Sequence, residues 1–348
     1  MGMMERQVRR LSAPLFVWWD ITYRCNLRCE YCYSSSGKAD PDELTTQECH
    51  RVINDLGSNG IFYIFFLGGE PFMRPDFLEL LEYCHRVGVE TMLTTNGWFV
   101  TPKIAKETAK AGVTIARVSI DGATADVHDD IRGVPGSFDR AVQALHYFRE
   151  AGVPVVGVSP TISRRNLHQV EDIVAMSLRE GATEIRLNPV CVTGRASQSG
   201  SSLSGEDSEF LRVAYNKVKQ LFGTRINIDA PEGIALDKHK SERCDAHTGP
   251  ADMMGCGAGT VSLAISPLGE VFHCILYRKE VGNVRTSSFR EIWETSPQLV
   301  EKRKFRGVCL DCVNRPLCSG VCPLIEDIGD DTRLALLEKT NGCAIPLK

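Results

Sequence analysis

Between residues 14 and 191 the chain alternates short β-rich runs with stretches of helical apolar spacing, and this limits the possible folds more than any other feature. The β-rich runs are 15–22, 61–67, 91–95, 114–120, 153–162 and 184–190. Helical spacing occupies 46–56, 77–87, 102–111, 138–151 and 167–180. Thr45-x-x-Glu48 has the form of a capping box, and Pro102 stands where a first helical turn tolerates proline. Such alternation predicts a parallel sheet covered by helices. Six units are too few for a closed eight-stranded barrel, which leaves an open partial barrel or a doubly wound sheet. In both, ligands gather at the C-terminal ends of the strands.

The sequence holds 14 cysteines. A secreted mini-protein would use them as disulfides, but this chain is long and opens on Met1-Gly-Met-Met-Glu-Arg6, with a charge where a signal peptide needs apolar residues. The thiols are therefore expected to be metal ligands in a reducing, cytoplasmic setting. They cluster at 25–32 and again after residue 243. Cys25, Cys29 and Cys32 directly follow the first β-rich run, which puts them at the ligand-binding end of the sheet. Three thiolates complete neither a tetrahedral zinc site nor a [4Fe-4S] cluster, so a distant residue or an external ligand must fill the fourth position.

Other classes find little support. The net charge of -4 and isolated pairs such as Arg9-Arg10 and Arg164-Arg165 give no polyanion-binding surface, so no nucleic-acid partner is expected. The longest apolar run, 61–67, is too short to span a bilayer. Cys49 and Cys84 fall inside helical stretches and read as buried fillers, as does Cys191 at the end of the sixth run. The eight histidines show no metal-ligand spacing.

After the second run stands Gly68-Gly69-Glu70-Pro71, where paired glycines permit close backbone approach and Glu70 offers an acceptor for an ammonium group. With Cys25-x3-Cys29-x2-Cys32 and the aromatic Tyr31, this loop resembles the radical S-adenosylmethionine (radical SAM) enzymes. The resemblance extends to Thr95-Asn96-Gly97 and Ser119-Ile-Asp121-Gly122 after the third and fourth runs. It implies a partial (β/α)6 TIM-type barrel over residues 14–195, after an extension of residues 1–13. It also implies a [4Fe-4S] cluster whose open iron binds the methionine end of S-adenosylmethionine. Reductive cleavage to a 5'-deoxyadenosyl radical would follow, with the electron from a flavodoxin- or ferredoxin-type donor. Tyr31, Gly68, Gly69, Glu70, Pro71, Asn96, Ser119 and Arg132 are the cofactor-binding residues so implied, with Glu70 on the ammonium, Ser119 near ribose or carboxylate and Arg132 toward the carboxylate.

Residues 196–243 are expected to be a Ser/Gly-rich linker, centred on 195–205, and a bridging helix over 206–222. From 244 to 348 the texture changes to short segments with little room for an apolar core. Cys256, Gly269-x4-Cys274, Cys309-x2-Cys312-x5-Cys318-x3-Cys322 and Cys343 resemble the signature of the SPASM extension, with Cys244 just upstream. That resemblance implies two auxiliary [4Fe-4S] clusters, three in all. Cys244, Cys256, Cys274 and Cys322 would hold one, and Cys309, Cys312, Cys318 and Cys343 the other.

Within SPASM enzymes the chain is similar to the mycofactocin maturases, through Arg74-Pro-Asp-Phe77, Thr161-Ile-Ser-Arg-Arg-Asn166 and Cys256-Gly-Ala-Gly259. Those enzymes oxidatively decarboxylate and crosslink the C-terminal Val-Tyr of a precursor peptide. Only 24 residues precede Cys25, so such a peptide is expected to arrive on a separate leader-binding chaperone. Ile275, where sulfatase-maturating enzymes carry aspartate, argues against that chemistry. Enzymes of haem and pyrroloquinoline quinone precursors share the architecture. An iron–sulfur electron carrier would not need the Gly-Gly-Glu-Pro loop, and a zinc-stabilised binding module would explain only the C-terminal cysteines.

Overall fold

A computed structural model describes residues 11–230 and 257–303. Its first half is β1 (Phe16–Asp20), α1 (Thr46–Ser58), β2 (Tyr63–Leu67), α2 (Phe77–Arg86), β3 (Glu90–Thr95), α3 (Pro102–Lys110), β4 (Val113–Val118), α4 (Ala125–Arg132), α5 (Ser137–Glu150) and β5 (Val155–Val158). There follow β6 (Thr161–Ile162), α6 (Val170–Arg179), β7 (Glu184–Arg186), β8 (Asn188–Pro189), α7 (Ala196–Ser199), α8 (Gly205–Phe222) and β9 (Asn227–Asp229). After the gap come β10 (Ser262–Ile265), β11 (Glu270–Phe272), β12 (Glu280–Asn283), α9 (Phe289–Thr295) and α10 (Pro297–Lys302).

One sheet runs β12-β11-β10-β1-β2-β3-β4-β5-β7-β9, parallel from β10 to β9, and among the described residues it is open at both edges. It is the partial barrel that the resemblance implied, one of the two forms the alternation left open. Strand pleating sends Val17, Trp19, Ile64 and Phe66 into the core shared with Val52, Ile53 and Leu56 of α1 and Leu80 and Leu81 of α2. The capping box at α1 is present: Thr45 N–H donates to Glu48 Oε2 at 2.8 Å, and Glu48 N–H to Thr45 Oγ1 at 3.3 Å. Cys49 and Cys84 are fully buried on α1 and α2, as their helical positions imply.

Four features differ from the expectation. The fifth run breaks in two at Pro160, which has no N–H to continue a ladder, and the sixth breaks at Leu187; β6 and β8 pair separately, Thr161 opposite Asn188. The short helix α4, not expected from the sequence, starts at Thr124 without a side-chain N-cap bond and ends on Gly133 in the left-handed region. The segment 195–205 is not a solvated linker: Ala196 and Ser201 are buried, and Gly194 lies on the backbone of Cys32 and Tyr33.

The last difference concerns the C-terminal region. β10 lies parallel beside β1, Phe16 opposite Ser262, and Ile265, Val271, Phe289 and Trp293 join the main core. Its described part is thus apolar and continuous with the barrel. Gly269, with φ of 86°, makes the turn between β10 and β11, which explains a glycine five residues before Cys274.

The junction holds a buried ion pair. Arg278 Nη1 meets the fully buried Asp20 Oδ2 at 2.7 Å, while Tyr33 donates to Asp20 Oδ1 at 2.6 Å. Burial raises the Asp20 carboxyl pKa despite the opposing pull of Arg278. Arg278→Met strands that carboxylate, and the expected loss is about 3 kcal/mol of stability. Chemical denaturation measures it; adding Asp20→Asn should recover part of the loss, and an unchanged midpoint in the single variant would reject the assignment.

Candidate active site

The cysteine loop leaves the C-terminal end of β1 and is fastened by its neighbours. Cys25 N–H donates to Gly37 O at 2.9 Å and Arg195 N–H to Cys32 O at 2.9 Å. The Arg195 side chain spans the loop, Nε to Cys29 O at 2.9 Å and Nη1 to Ser36 O at 2.8 Å. Leu27, Cys29, Tyr31, Ile131, Val190 and Ala196 form a small apolar cluster around it. Among the described residues no three His, Cys, Asp or Glu side chains are close enough together to hold one metal ion.

Each of the three sulfurs nevertheless has a polar group against it, and two of them accept from an N–H. Leu27 N–H and the Asn96 amide approach Cys25 Sγ at 3.4 and 3.9 Å. Arg132 Nη1 lies 3.7 Å from Cys29 Sγ, and the Ser34 hydroxyl 3.4 Å from Cys32 Sγ. Donors converging on sulfur suit thiolates bound to metal, since a thiolate accepts hydrogen bonds and a buried thiol needs few. Without metal, burial pushes the Cys25 thiol up to about 12 and also raises that of Cys29. The loop is thus arranged for ligands whose charge a metal centre would neutralise.

The Gly-Gly-Glu-Pro loop stands next to it. Gly69 N–H donates to Thr22 O and Glu70 N–H to Arg24 O, each at 2.8 Å. A Cβ on Gly68 would lie 2.5 Å from Thr22 O, and one on Gly69 would collide with Arg24 O. The glycines are therefore required by the contact between two loops. The buried Pro71 opens a 3-10 turn, Pro71–Met73, which Glu70 caps.

Glu70 is fully buried. Oε1 accepts from Thr95 Oγ1 at 2.7 Å and Phe72 N–H at 3.2 Å, and Oε2 from Asn96 N–H at 2.7 Å. Burial outweighs these three donors and lifts its pKa to about 7. No cation pairs closely with it among the described residues, so the carboxylate fits the ammonium of S-adenosylmethionine. Asn96 also bonds Asn26 Oδ1 at 2.9 Å, linking the third strand end to the cysteine loop. Ser119, half-buried after β4, donates its N–H to Thr95 O at 2.9 Å.

Asp121, part of the Ser119-Ile-Asp121-Gly122 motif but given no role there, stands at the centre of the remaining network. Its fully buried carboxylate pairs with Arg132 Nε at 2.5 Å, accepts from the Tyr31 hydroxyl, and accepts from Thr161 N–H at 2.8 Å. His128 accepts from Asp121 N–H through Nδ1 at 3.0 Å, and burial holds its pKa down to about 4, so it stays neutral. The sequence signal for Asp121 was its place in the Ser-Ile-Asp-Gly motif, and for His128 its closeness to that motif.

Of the eight cysteines after residue 243, Cys274 is described, half-buried after β11. Burial, with a smaller effect from the nearby Cys274 thiol, pushes Cys191 up to about 11. Cys244, Cys256, Cys309, Cys312, Cys318, Cys322 and Cys343 lie outside the described residues.

Comparison with known proteins decides the family. Residues 19–176 match the model of the radical SAM superfamily, and 256–322 that of an iron-sulfur cluster-binding domain, SPASM. The mycofactocin maturase MftC of Mycobacterium tuberculosis is 35% identical over 335 residues, covering 92% of this chain and 81% of that protein. The chain belongs to the radical SAM superfamily and carries a SPASM domain. The AdoMet-dependent heme synthase of Methanosarcina barkeri is also similar, 31% identical over 322 residues, 89% of this chain and 91% of that one. Streptococcus suis SuiB bound to precursor peptide SuiA shares the fold, with TM-score 0.74 at 18% identity over 93% of this chain and 75% of that one. The radical SAM assignment gives the chain enzymatic activity that depends on S-adenosylmethionine and iron–sulfur clusters. No described helix is long and apolar enough to cross a membrane.

Proposed function

We propose that this radical SAM enzyme is a maturase in the cytoplasm that takes a hydrogen atom from a ribosomally made precursor peptide. Oxidative decarboxylation and crosslinking of a C-terminal Val-Tyr is its leading chemistry. The observation that carries this reading is the 35% identity to the mycofactocin maturase across 92% of the chain. The bound cluster and S-adenosylmethionine would supply one-electron cleavage of the sulfonium and a hydrogen-abstracting radical. The protein's own residues bind, orient and exclude water. Glu70 holds the ammonium, Asn96 and Ser119 border the carboxylate and ribose, and Tyr31 and the Gly68–Pro71 loop close the wall around them. A separate leader-binding chaperone delivers the peptide, and a flavodoxin or ferredoxin supplies the electron.

Cys25, Cys29 and Cys32 hold the first cluster in this reading. Cys244, Cys256, Cys274 and Cys322 hold the second, and Cys309, Cys312, Cys318 and Cys343 the third. Anaerobic reconstitution should then give about twelve irons per chain. Deuterium transfer into 5'-deoxyadenosine from labelled candidate peptides, presented with their chaperone, identifies the carbon attacked. The heme synthase relative, of which the chain covers 91%, supports a haem precursor as second reading. Label transferred from such a precursor and from no peptide would establish that alternative.

A further inference from the structure

The Asp121–Arg132 pair sits against a ligand of the first cluster, although neither residue belongs to a cysteine motif. Arg132 is nine-tenths buried, its guanidinium ion-paired with Asp121, with Nη1 directed at Cys29 Sγ, 3.7 Å away. The guanidinium also lies 5.6 Å from the Tyr31 ring centroid. Asp121 keeps its place without Arg132, because Thr161 N–H and the Tyr31 hydroxyl hold the carboxylate and Asn166 Nδ2 donates to its backbone oxygen at 2.7 Å. Of the donors directed at the three sulfurs, Arg132 alone carries a charge.

We propose that Arg132, positioned by Asp121, sets the reduction potential of the first cluster through a charged hydrogen bond to the Cys29 thiolate. This rests on cluster binding by the trio, but not on the identity of the substrate. The physical reason is a difference between oxidation states. The reduced cluster carries one more negative charge than the oxidised one, so a cationic donor at a ligand sulfur stabilises it preferentially and raises the potential. Burial strengthens the effect by lowering the local dielectric. A guanidinium cannot deprotonate in a protein, so this contribution is constant with pH. Asp121 partly offsets the charge, and the pair acts as a dipole with its positive end on sulfur. This gives Arg132 a task at the cluster, distinct from the cofactor carboxylate suggested by its motif position.

The test is an anaerobic redox titration of the reconstituted full chain, followed by electron paramagnetic resonance, without S-adenosylmethionine. The first cluster's signal is the part missing from the Cys25→Ala/Cys29→Ala/Cys32→Ala variant. Arg132→Gln should lower its midpoint, Arg132→Lys should restore part of the shift, and the other signals should keep theirs. An unchanged midpoint in Arg132→Gln at full iron content overturns the proposal. If Arg132→Gln fails to assemble the cluster, the wild type reads the same contact directly. With [15N]arginine incorporated, the reduced first cluster should show a 15N hyperfine coupling that Arg132→Lys abolishes. Absence of that coupling, or its persistence in Arg132→Lys, equally rejects the assignment. Because no S-adenosylmethionine is present, loss of cofactor binding cannot imitate either result.

Discussion

Cys29→Ala should reduce 5'-deoxyadenosine formation to the level of a protein-free control, and lower the iron content of the reconstituted chain by about four. Cys29 is the most buried of the trio and the one that Arg132 faces, and its loop backbone is held at the carbonyl by Arg195. Alanine leaves two thiolates on a loop whose shape is fixed by its neighbours, so no other side chain can swing in as a ligand. Cys191 cannot substitute from where it lies, bonded through Sγ to Pro189 O beside Cys274. The measurement is anaerobic turnover with a strong reductant, with product quantified against iron and sulfide. Full-rate product from Cys29→Ala would refute the site itself.

The second large effect concerns Glu70. Its folded pKa of about 7 stands above the ordinary carboxylate value, because burial outweighs the Asn96, Thr95 and Phe72 donors. The linkage has two opposite consequences. In the cofactor-free protein the folded state binds the extra proton, so stability falls as pH rises from about 4.5 through 7. Cofactor binding needs the ionised form, so affinity for S-adenosylmethionine should rise with pH, about tenfold per unit below 7, and level off above it. Below pH 7, calorimetry in buffers of different ionisation enthalpy should therefore record proton release on binding. Glu70→Gln removes the anion facing the ammonium, and about a hundredfold loss of affinity is expected, with no remaining pH slope. A variant that keeps the wild-type slope would show that another group carries the proton.

Much of this architecture was legible because its signals are local. The apolar run of 61–67 and the capping box at Thr45 depend on residues a few positions apart, and both survive in the folded chain. The placement of Cys25, Cys29 and Cys32 followed from their position after a strand, a rule of parallel sheets that needs no tertiary detail. What was not legible depends on pairs distant in sequence. Nothing near Asp121 announces that its carboxylate will meet Tyr31 and Thr161, 90 and 40 positions away. The pairing of β10 with β1 joins segments more than 240 residues apart, and the break at Pro160 turns on a missing ladder donor within an otherwise convincing strand. Gly68 and Gly69 were readable as a close approach, but what they approach is the backbone of Thr22 and Arg24.

The adjacency of β1 and β10 has an effect on timing as well as shape. The strand that delivers the cysteine trio is laced, residue by residue from Phe16 to Trp19, to the strand that leads through a short hairpin toward Cys274. The spacing between the first centre and that thiol is consequently set by hydrogen-bond register, not by a hinge. Substrate arrival can reshape loops around the strand ends, but it cannot lengthen this interval without tearing the ladder. The interval between the cysteine trio and Cys274 therefore stays constant while the loops around the strand ends move.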